Sequence, residues 1–232
     1  MQIYLMKVVC GWVRPWHNFW LTAVMRPTIF LLMVCTGCAT SNMQTFVQSK
    51  LNTPFYKLMI VQTEVDQEFQ QLDSLSFESH IKGSLTSLSS ARFREQMERS
   101  FKRKLTGPRT VVETASDHFP INSNVTYNQF KQKIKELDID AVLVINVTGY
   151  WQSAYTSFSN GYPYQNVEPN AAYNCYLLDV ETFKPAWMSR IVVNGIWAGF
   201  DTLNNRMAQR VANKLTQGKF IYPIPDSYYA NR

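Results

Sequence analysis

The sequence predicts an α/β domain, with one mixed sheet and helices packed on it in the order β-α-β-α-β-β-β-α. Apolar runs at residues 58–62 and 141–147 have the length and composition of buried strands. Residues 89–105 and 201–217 instead carry apolar side chains at helical spacing. Because helical and extended segments alternate along the chain, a layered domain that combines both is the expected architecture.

The helices are predicted from stripes and end signals. In residues 89–105 an apolar residue recurs every four positions, at Phe93, Met97, Phe101 and Leu105. Thr126 is followed three residues later by Gln129, a pattern that resembles a capping box at the start of a helix. The last helix is expected to begin at Asp201 as its N-cap and to end at Gly218.

The remaining segments are predicted as strands, loops and ends. Residues 110–114 are a short strand, and residues 172–180 and 186–197 form an antiparallel hairpin around a tight turn. Residues 65–85 are polar with weak periodicity, so we expect a loop with a short strand near residues 74–78. The domain is expected to span residues 54–221, and residues 222–232 form an irregular tail.

The segment from Leu32 to Cys38 resembles a bacterial lipobox. An apolar run from Ile29 to Cys35 is followed by two small residues and then by Cys38. The pattern departs from the family at Cys35, where leucine is usual. The resemblance implies that residues 1–37 are a signal peptide and that Cys38 carries lipid, with fatty acids such as palmitate.

The 37-residue segment before Cys38 is longer than a signal peptide needs. The apolar run is too short to span a bilayer as a helix, and it fits a secretory signal that starts at Met25 or Met6. One alternative is a retained membrane anchor over residues 9–35, although Arg14 and Arg26 interrupt that stretch. The other alternative is that neither processing nor anchoring occurs.

The residues after Cys38 predict where the protein resides. Ala39 follows the lipid-bearing residue and no aspartate follows, which resembles the outer-membrane sorting class of Gram-negative lipoproteins. The expected location is therefore the outer membrane, lipid-anchored and facing the periplasm. Residues 39–53 are small and polar, and we expect a tether that reaches at most about 50 Å.

The net charge argues against a nucleic-acid binder, and the cysteine content argues against a fold held by disulfides. Three basic residues precede Cys38, so the remainder holds 20 basic and 17 acidic residues, a net charge of about +3. This is too mild for a nucleic-acid binder. After processing only Cys38 and Cys175 remain, and a lipidated cysteine cannot form a disulfide. We expect Cys175 to be a buried apolar thiol on a strand, with a reactive or intermolecular thiol as the alternative.

The C-terminal half resembles small bacterial envelope lipoproteins. Residues 176–182 end a strand in a Leu-x-Asp-x-x-Thr pattern, and Trp187 opens the next strand. Residues 214–221 close a helix with Leu215, Gly218 and Ile221, one position away from the Leu-x-x-x-Gly-x-Ile spacing of the family. Penicillin-binding-protein activator lipoproteins and curli secretion channel lipoproteins share such domains. The resemblance implies a non-enzymatic accessory role at the outer membrane, and it transfers no functional residue. The long insertion of the curli channel and the long arm of the activators have no counterpart here.

No catalytic residue, metal site or cofactor is predicted. His80 and His118 are 38 residues apart and lack partners at metal-ligand spacing, and no nucleophile or phosphate-loop motif is present. A basic cluster over residues 92–109 has two interpretations, a solvated helix face or a contact for anionic headgroups or an acidic partner. Its members are Arg92, Arg94, Arg99, Lys102, Arg103, Lys104 and Arg109.

Aromatic residues over 150–164 are the predicted binding site. Serine, asparagine and glycine separate them, a composition common at recognition surfaces. The candidate contact residues are Trp151, Tyr155, Phe158, Tyr162 and Tyr164. The structural alternative is a hairpin whose aromatic side chains pack on the sheet edge or on each other.

Three functions follow from these observations. The first is an accessory or assembly module that binds another envelope protein. The second is a module for peptidoglycan or another glycan that uses the residues over 150–164. The third is an envelope enzyme with an unrecognised site.

Overall fold

The computed structural model describes residues 40–49, 51–65, 68, 70–122, 124–195, 200–225 and 228. The predicted signal peptide, Cys38, Ala39 and most of the end of the tail lie outside the described residues. The strands are β1 (Thr40–Val47), β2 (Lys57–Thr63), β3 (Val111–Thr114), β4 (Ala141–Ser159), β5 (Tyr162–Asp179) and β6 (Pro185–Asn194). The helices are α1 (Ser74–Ser76), a π-helix (Phe77–Lys82), α2 (Gly83–Thr86), α3 (Ala91–Leu105), α4 (Ala115–His118), α5 (Tyr127–Glu136) and α6 (Phe200–Gln217).

The strands form one mixed sheet of six strands in the order β1-β6-β5-β4-β2-β3. β4, β2 and β3 run parallel, whereas β1, β6, β5 and β4 are joined by antiparallel pairs. The first seven residues of β4, 141–147, are buried on both faces, as their continuous apolar run predicts. The predicted fold class, a mixed sheet with helices packed on it, is confirmed.

Two apolar layers lie on opposite faces of the sheet. One layer holds α3 and α6 against the sheet, and its buried side chains include Phe101, Trp187 and Met207. The other layer holds α5 and the helical segment over 74–86, with Phe77 and Phe130 at its centre. The stripe predicted for α3 is the face that packs on the sheet. Both halves of the capping box between Thr126 and Gln129 are also formed.

The prediction for residues 65–85 is wrong. This segment contains α1, the π-helix and α2, rather than a loop with a short strand. Asp73 caps it, because its side chain accepts from the backbone of Ser76 and the Ser76 side chain accepts in return. The sequence does carry a helical signal, since Phe77, Ile81 and Leu85 are four residues apart and all three are buried.

The expected tether also differs from the structure. Residues 40–47 form β1, an edge strand that pairs along its whole length with β6. The small polar residues that suggested a flexible linker occupy an edge strand, in which residues 42 and 44–47 are exposed to solvent. The sheet therefore begins two residues after Cys38.

The central hairpin is longer than the sequence predicts. The strand predicted at 141–147 continues to Ser159, and the strand predicted at 172–180 begins at Tyr162. The final helix begins at Phe200, so Asp201 lies in its first turn instead of capping it. In the described part of the chain, no helix is long and apolar enough to cross a membrane.

Candidate functional site

Residues 150–169, here called the aromatic ribbon, extend the hairpin of β4 and β5 past the end of the sheet. β2 pairs with β4 only as far as Asn146, and β6 pairs with β5 from Asn170 onward. The backbone of Gly195 makes one further bond to Pro169. Among the described residues, the two strands of the ribbon beyond these points pair only with each other. Residues 151–156 and 158–165 are exposed, so solvent reaches both faces of the ribbon beyond its base.

A two-residue turn closes the ribbon. Asn160 has φ of 52° and Gly161 has φ of 81°, which is the left-handed pair that a type I′ hairpin turn requires. This turn has the twist of the strands it connects, so a long ribbon can leave the sheet without splaying. Glycine at the second position avoids the clash that a side chain meets at positive φ.

The strand register sorts the predicted contact residues onto two faces. Side chains that lie directly opposite each other in neighbouring strands share a face, and alternate residues along one strand do so as well. The cross-strand pairs are Trp151 with Asn170, Tyr155 with Asn166, Ser157 with Tyr164, and Ser159 with Tyr162. Trp151, Tyr155, Tyr162 and Tyr164 therefore share one face, here called the aromatic face. Phe158 lies on the opposite face with Val167, which the sequence did not single out.

The predicted contact residues are exposed. Trp151 is 43% exposed, Phe158 72% and Tyr162 78%. Trp151, Tyr155 and Tyr164 keep only 41–43% of their surface exposed, so packing of these rings on each other stays the structural alternative. The alternative holds for Tyr150, which lies at the base of the ribbon, outside the predicted contact set.

Tyr150 fixes the base of the ribbon to the helical layer. Its ring packs edge-on against Phe93 of α3 and against Tyr173 of β5. The hydroxyl groups of Tyr150 and Tyr173 both donate to Oδ1 of Asn204 in α6, at 3.4 and 2.7 Å. Burial raises the pKa of both tyrosines above the ordinary range, so both remain neutral donors.

Polar groups on the aromatic face are bonded to each other below the rings. Nδ2 of Asn166 donates to Oγ of Ser157, and Nδ2 of Asn170 donates to Oγ of Ser153. Both asparagines are buried, although they lie on a ribbon with solvent on both sides. A hydrogen bond to the carboxylate of Glu168 is the main cause of the raised pKa of Tyr155. The amide nitrogens of both asparagines are thus bonded on this face, whereas Oδ1 of Asn166 is buried without a hydrogen-bond partner among the described residues.

Two buried ionisable residues, Arg94 and Glu98, lie on α3. Arg94 belongs to the basic cluster predicted from the sequence, and both residues are essentially inaccessible to solvent. Glu98 accepts from the backbone N–H groups of Ser116 and Gln62 at 2.9 and 3.4 Å. Burial raises the pKa of Glu98 to about 7, while the bonds from Ser116 and the charge of Arg94 oppose this effect. No signal in the helical stripe distinguishes these two residues from their neighbours.

Most members of the basic cluster have a contact partner within the domain. Arg99 pairs with Glu95, and Lys102 pairs with Asp117 at 2.9 Å. Arg103 donates to Asn205, and the guanidinium of Arg109 lies 4.0 Å from the centre of the Tyr222 ring. These contacts favour the interpretation of a solvated helix face, with Arg94 removed from that face by burial.

The two histidines considered as metal ligands have different surroundings, and the thiol of Cys175 is enclosed. His118 lies beside Glu113, with 3.2 Å between Nε2 and Oε2, whereas His80 is buried in the helical segment over 74–86. Cys175 is fully buried on β5, and burial raises the pKa of its thiol, which gives an unreactive group. No group of three or more potential metal ligands comes together in the part of the chain that is described.

Comparisons with known proteins identify no family. No family model matches the chain, and no curated protein sequence matches it. The resemblance to activator and curli lipoproteins therefore stays a prediction.

Several solved structures are similar at low identity. A PelC dodecamer from Paraburkholderia phytofirmans has a TM-score of 0.43 and 12% identity, over 78% of this chain and 99% of that chain. A minor lipoprotein from Acinetobacter baumannii has a TM-score of 0.34 and 9% identity, over 71% of this chain and 94% of that one. A lipoprotein from Neisseria meningitidis has a TM-score of 0.32 and 16% identity, over 69% and 98%. These similarities carry no functional conclusion.

Proposed function

We propose that this chain is a lipid-anchored accessory protein of the bacterial outer membrane that faces the periplasm and binds another envelope protein. The single observation that supports this function is the aromatic ribbon. It is an extension of the sheet with eight exposed apolar or aromatic side chains, and among the described residues its two strands pair only with each other beyond its base. A contact role needs such a surface, whereas catalysis needs converging reactive groups.

The composition of the ribbon supports a contact role. Glu168 is the only charged residue between positions 150 and 169, whereas 17% of the whole chain is charged. Protein interfaces are depleted in charge and enriched in aromatic residues at their centres. Exposed apolar side chains that lie together commonly mark an interaction surface. Phe158 and Val167 are exposed on the same face of the ribbon, about 13 Å apart along it, and are the proposed contacts for the protein partner.

Site-specific photocrosslinking in living cells tests this function. A photoreactive residue in place of Phe158 is expected to give an adduct with a different envelope protein. The same residue in place of Thr182, in the turn at the opposite end of β5, is the matched control and should give none. Adducts only with a second copy of this chain, or no adduct at all, would refute the proposal.

A second candidate function is glycan binding. It is favoured by the aromatic face, where four aromatic side chains lie beside asparagine and serine groups. In this case the full chain should sediment with purified cell-wall sacculi, and Trp151→Ala with Tyr155→Ala should abolish sedimentation. Gln132→Ala, at an exposed position of α5, is the control and should sediment like the unaltered chain.

Lipid attachment is tested separately. Cells that express the chain should incorporate a fatty-acid analogue into it, and Cys38→Ser should abolish this labelling. Labelling that persists in the Cys38→Ser variant would refute attachment at that residue.

A further inference from the structure

The start of β1 and the base of the aromatic ribbon lie at the same end of the sheet. Thr40 pairs with Asn194, Asn194 pairs with Asn170, and Asn170 pairs with Trp151. These residues form one row across four strands. From this row β1 runs toward Val47 and into the sheet, whereas the ribbon runs away from the sheet.

The row defines the position of a lipid on Cys38. Only Ala39 separates Cys38 from Thr40, so the chain length holds the Cα of Cys38 within about 7 Å of the Cα of Thr40. Three inter-strand spacings separate β1 from β4, which is a distance of about 14 Å along the row. An anchor at Cys38 thus holds this end of the sheet, and the base of the ribbon with it, at the membrane surface.

The reach of the ribbon is large compared with these distances. Ser159 lies eight positions beyond Trp151 along the strand, which corresponds to about 26 Å of extended strand beyond the row. The ribbon starts at the anchored end and leads away from the domain. It therefore extends to the side of the sheet on which the membrane lies, rather than into the periplasm.

The chemistry of the aromatic ribbon suits the interfacial layer of a bilayer. Residues 150–167 contain no charged side chain, and the one carboxylate on the aromatic face, that of Glu168, is hydrogen-bonded to Tyr155 at the base of the ribbon. Tryptophan and tyrosine are enriched at membrane interfaces, because their rings are apolar and their N–H and O–H groups bond to headgroups or water. The aromatic face presents one tryptophan and three tyrosines, while its asparagines are bonded to serines beneath them.

The backbone of the ribbon limits how deep it lies. A two-stranded ribbon has free N–H and C=O groups along both edges, and such groups are not tolerated in the hydrocarbon layer. A slanted or flat position among the headgroups keeps these groups hydrated and still buries the rings. The same argument excludes a ribbon that enters the bilayer end-on.

We propose that the aromatic face, formed by Trp151, Tyr155, Tyr162 and Tyr164, rests on the phospholipid interface of the membrane that holds the lipid of Cys38. This inference rests on the proposed anchorage at Cys38. The ribbon is a second contact with the membrane, and it fixes the orientation of the domain. The opposite face, with Phe158 and Val167, then points away from the membrane and is left for the protein partner.

Fluorescent probes on the reconstituted lipoprotein test this orientation. The lipidated chain is purified in detergent and incorporated into vesicles of phosphatidylethanolamine and phosphatidylglycerol. An environment-sensitive probe is attached at Ser159→Cys on the aromatic face. Thr156→Cys on the opposite face and Thr182→Cys at the far end of β5 are matched controls. Cys175 is fully buried and does not compete for the label.

The expected result is a difference between faces. The probe at position 159 should be quenched by lipids that carry a nitroxide on the acyl chain and be shielded several-fold from aqueous iodide. The probe at position 156 should be shielded less, and the probe at position 182 not at all. Tyr162→Ser with Tyr164→Ser should restore iodide access at position 159, whereas Phe158→Ser with Val167→Ser should leave it shielded.

Other outcomes separate the two proposals. If the chain does not float with the vesicles and incorporates no fatty acid, the anchorage at Cys38 has failed. If the chain floats but iodide reaches positions 159 and 182 equally, only the membrane contact is refuted. Shielding that requires added cell-wall fragments also refutes it and supports the glycan function instead.

Discussion

The buried carboxyl of Glu98 makes the stability of the domain depend on pH. Burial raises its pKa to about 7 from the ordinary value of 4.5. Between these two pH values the folded chain holds a proton at Glu98 and the unfolded chain does not. Raising the pH through this range therefore favours the unfolded state, and the dependence ends above about pH 7, where both states are ionised.

The size of this effect follows from the pKa difference. At about 1.4 kcal/mol per pH unit, the difference between 4.5 and about 7 corresponds to about 3 kcal/mol of unfolding free energy. Glu98→Gln imitates the protonated form and keeps an acceptor for the N–H of Ser116. We expect this variant to lose the decline in stability between about pH 5 and about pH 8 that the unaltered chain shows.

Urea unfolding of the full chain in detergent, followed by tryptophan fluorescence, measures this decline. Glu95→Gln, on the same helix and paired at the surface with Arg99, is the matched control and should keep the decline. The reasoning is wrong if Glu98→Gln shows the same decline as Glu95→Gln, since the dependence would then arise from other groups. It is also wrong if stability rises between pH 5 and pH 7 in the unaltered chain and not in Glu98→Gln.

Three further substitutions test the construction of the ribbon and the helices by the same unfolding measurement. Asn204→Ala removes the acceptor for the buried hydroxyl of Tyr173 and should cost about 1–3 kcal/mol, whereas exposed Asn213→Ala should cost less than about 0.5 kcal/mol. Gly161→Val places a branched side chain at positive φ and should lower the free energy of unfolding by about 1–2 kcal/mol. Protease cleavage should increase only at the turn, and equal cleavage throughout the domain would contradict a local effect. Thr126→Ala removes the capping bond and should cost about 1 kcal/mol, so an unchanged stability would show that the cap contributes nothing.

Local patterns predicted most of the layered fold. The stripe of α3, the capping box of α5 and the apolar run of β4 each arise from contacts within a few residues or from continuous burial. Each of these signals can be recognised within the short stretch of sequence that forms the element. The prediction for the helical segment over 74–86 was wrong because its many polar residues obscured the buried apolar side chains at every fourth position. The packing of these side chains against α5 makes the pattern evident.

The candidate site needed the pairing of distant strands. The sequence showed six aromatic residues over 150–164, and alternation alone could not say which of their side chains would be exposed. The pairing of Ser157 with Tyr164 places four of the rings on one face and Phe158 on the other. A shift of one residue in this register would reverse the faces, and the register is set by the turn at Asn160 and Gly161.

The sequence by itself predicted a mixed sheet with packed helices, a ribbon segment with a single charged residue, and a lipobox-like pattern that ends at Cys38. Only the tertiary structure decided that residues 40–47 are an edge strand, that Glu98 and Arg94 are buried, and that β1 and the ribbon share one end of the sheet. The physical reason is range. Propensity and periodicity act between near neighbours, whereas β1 pairs with a strand about 150 residues away, and no local pattern specifies that partner.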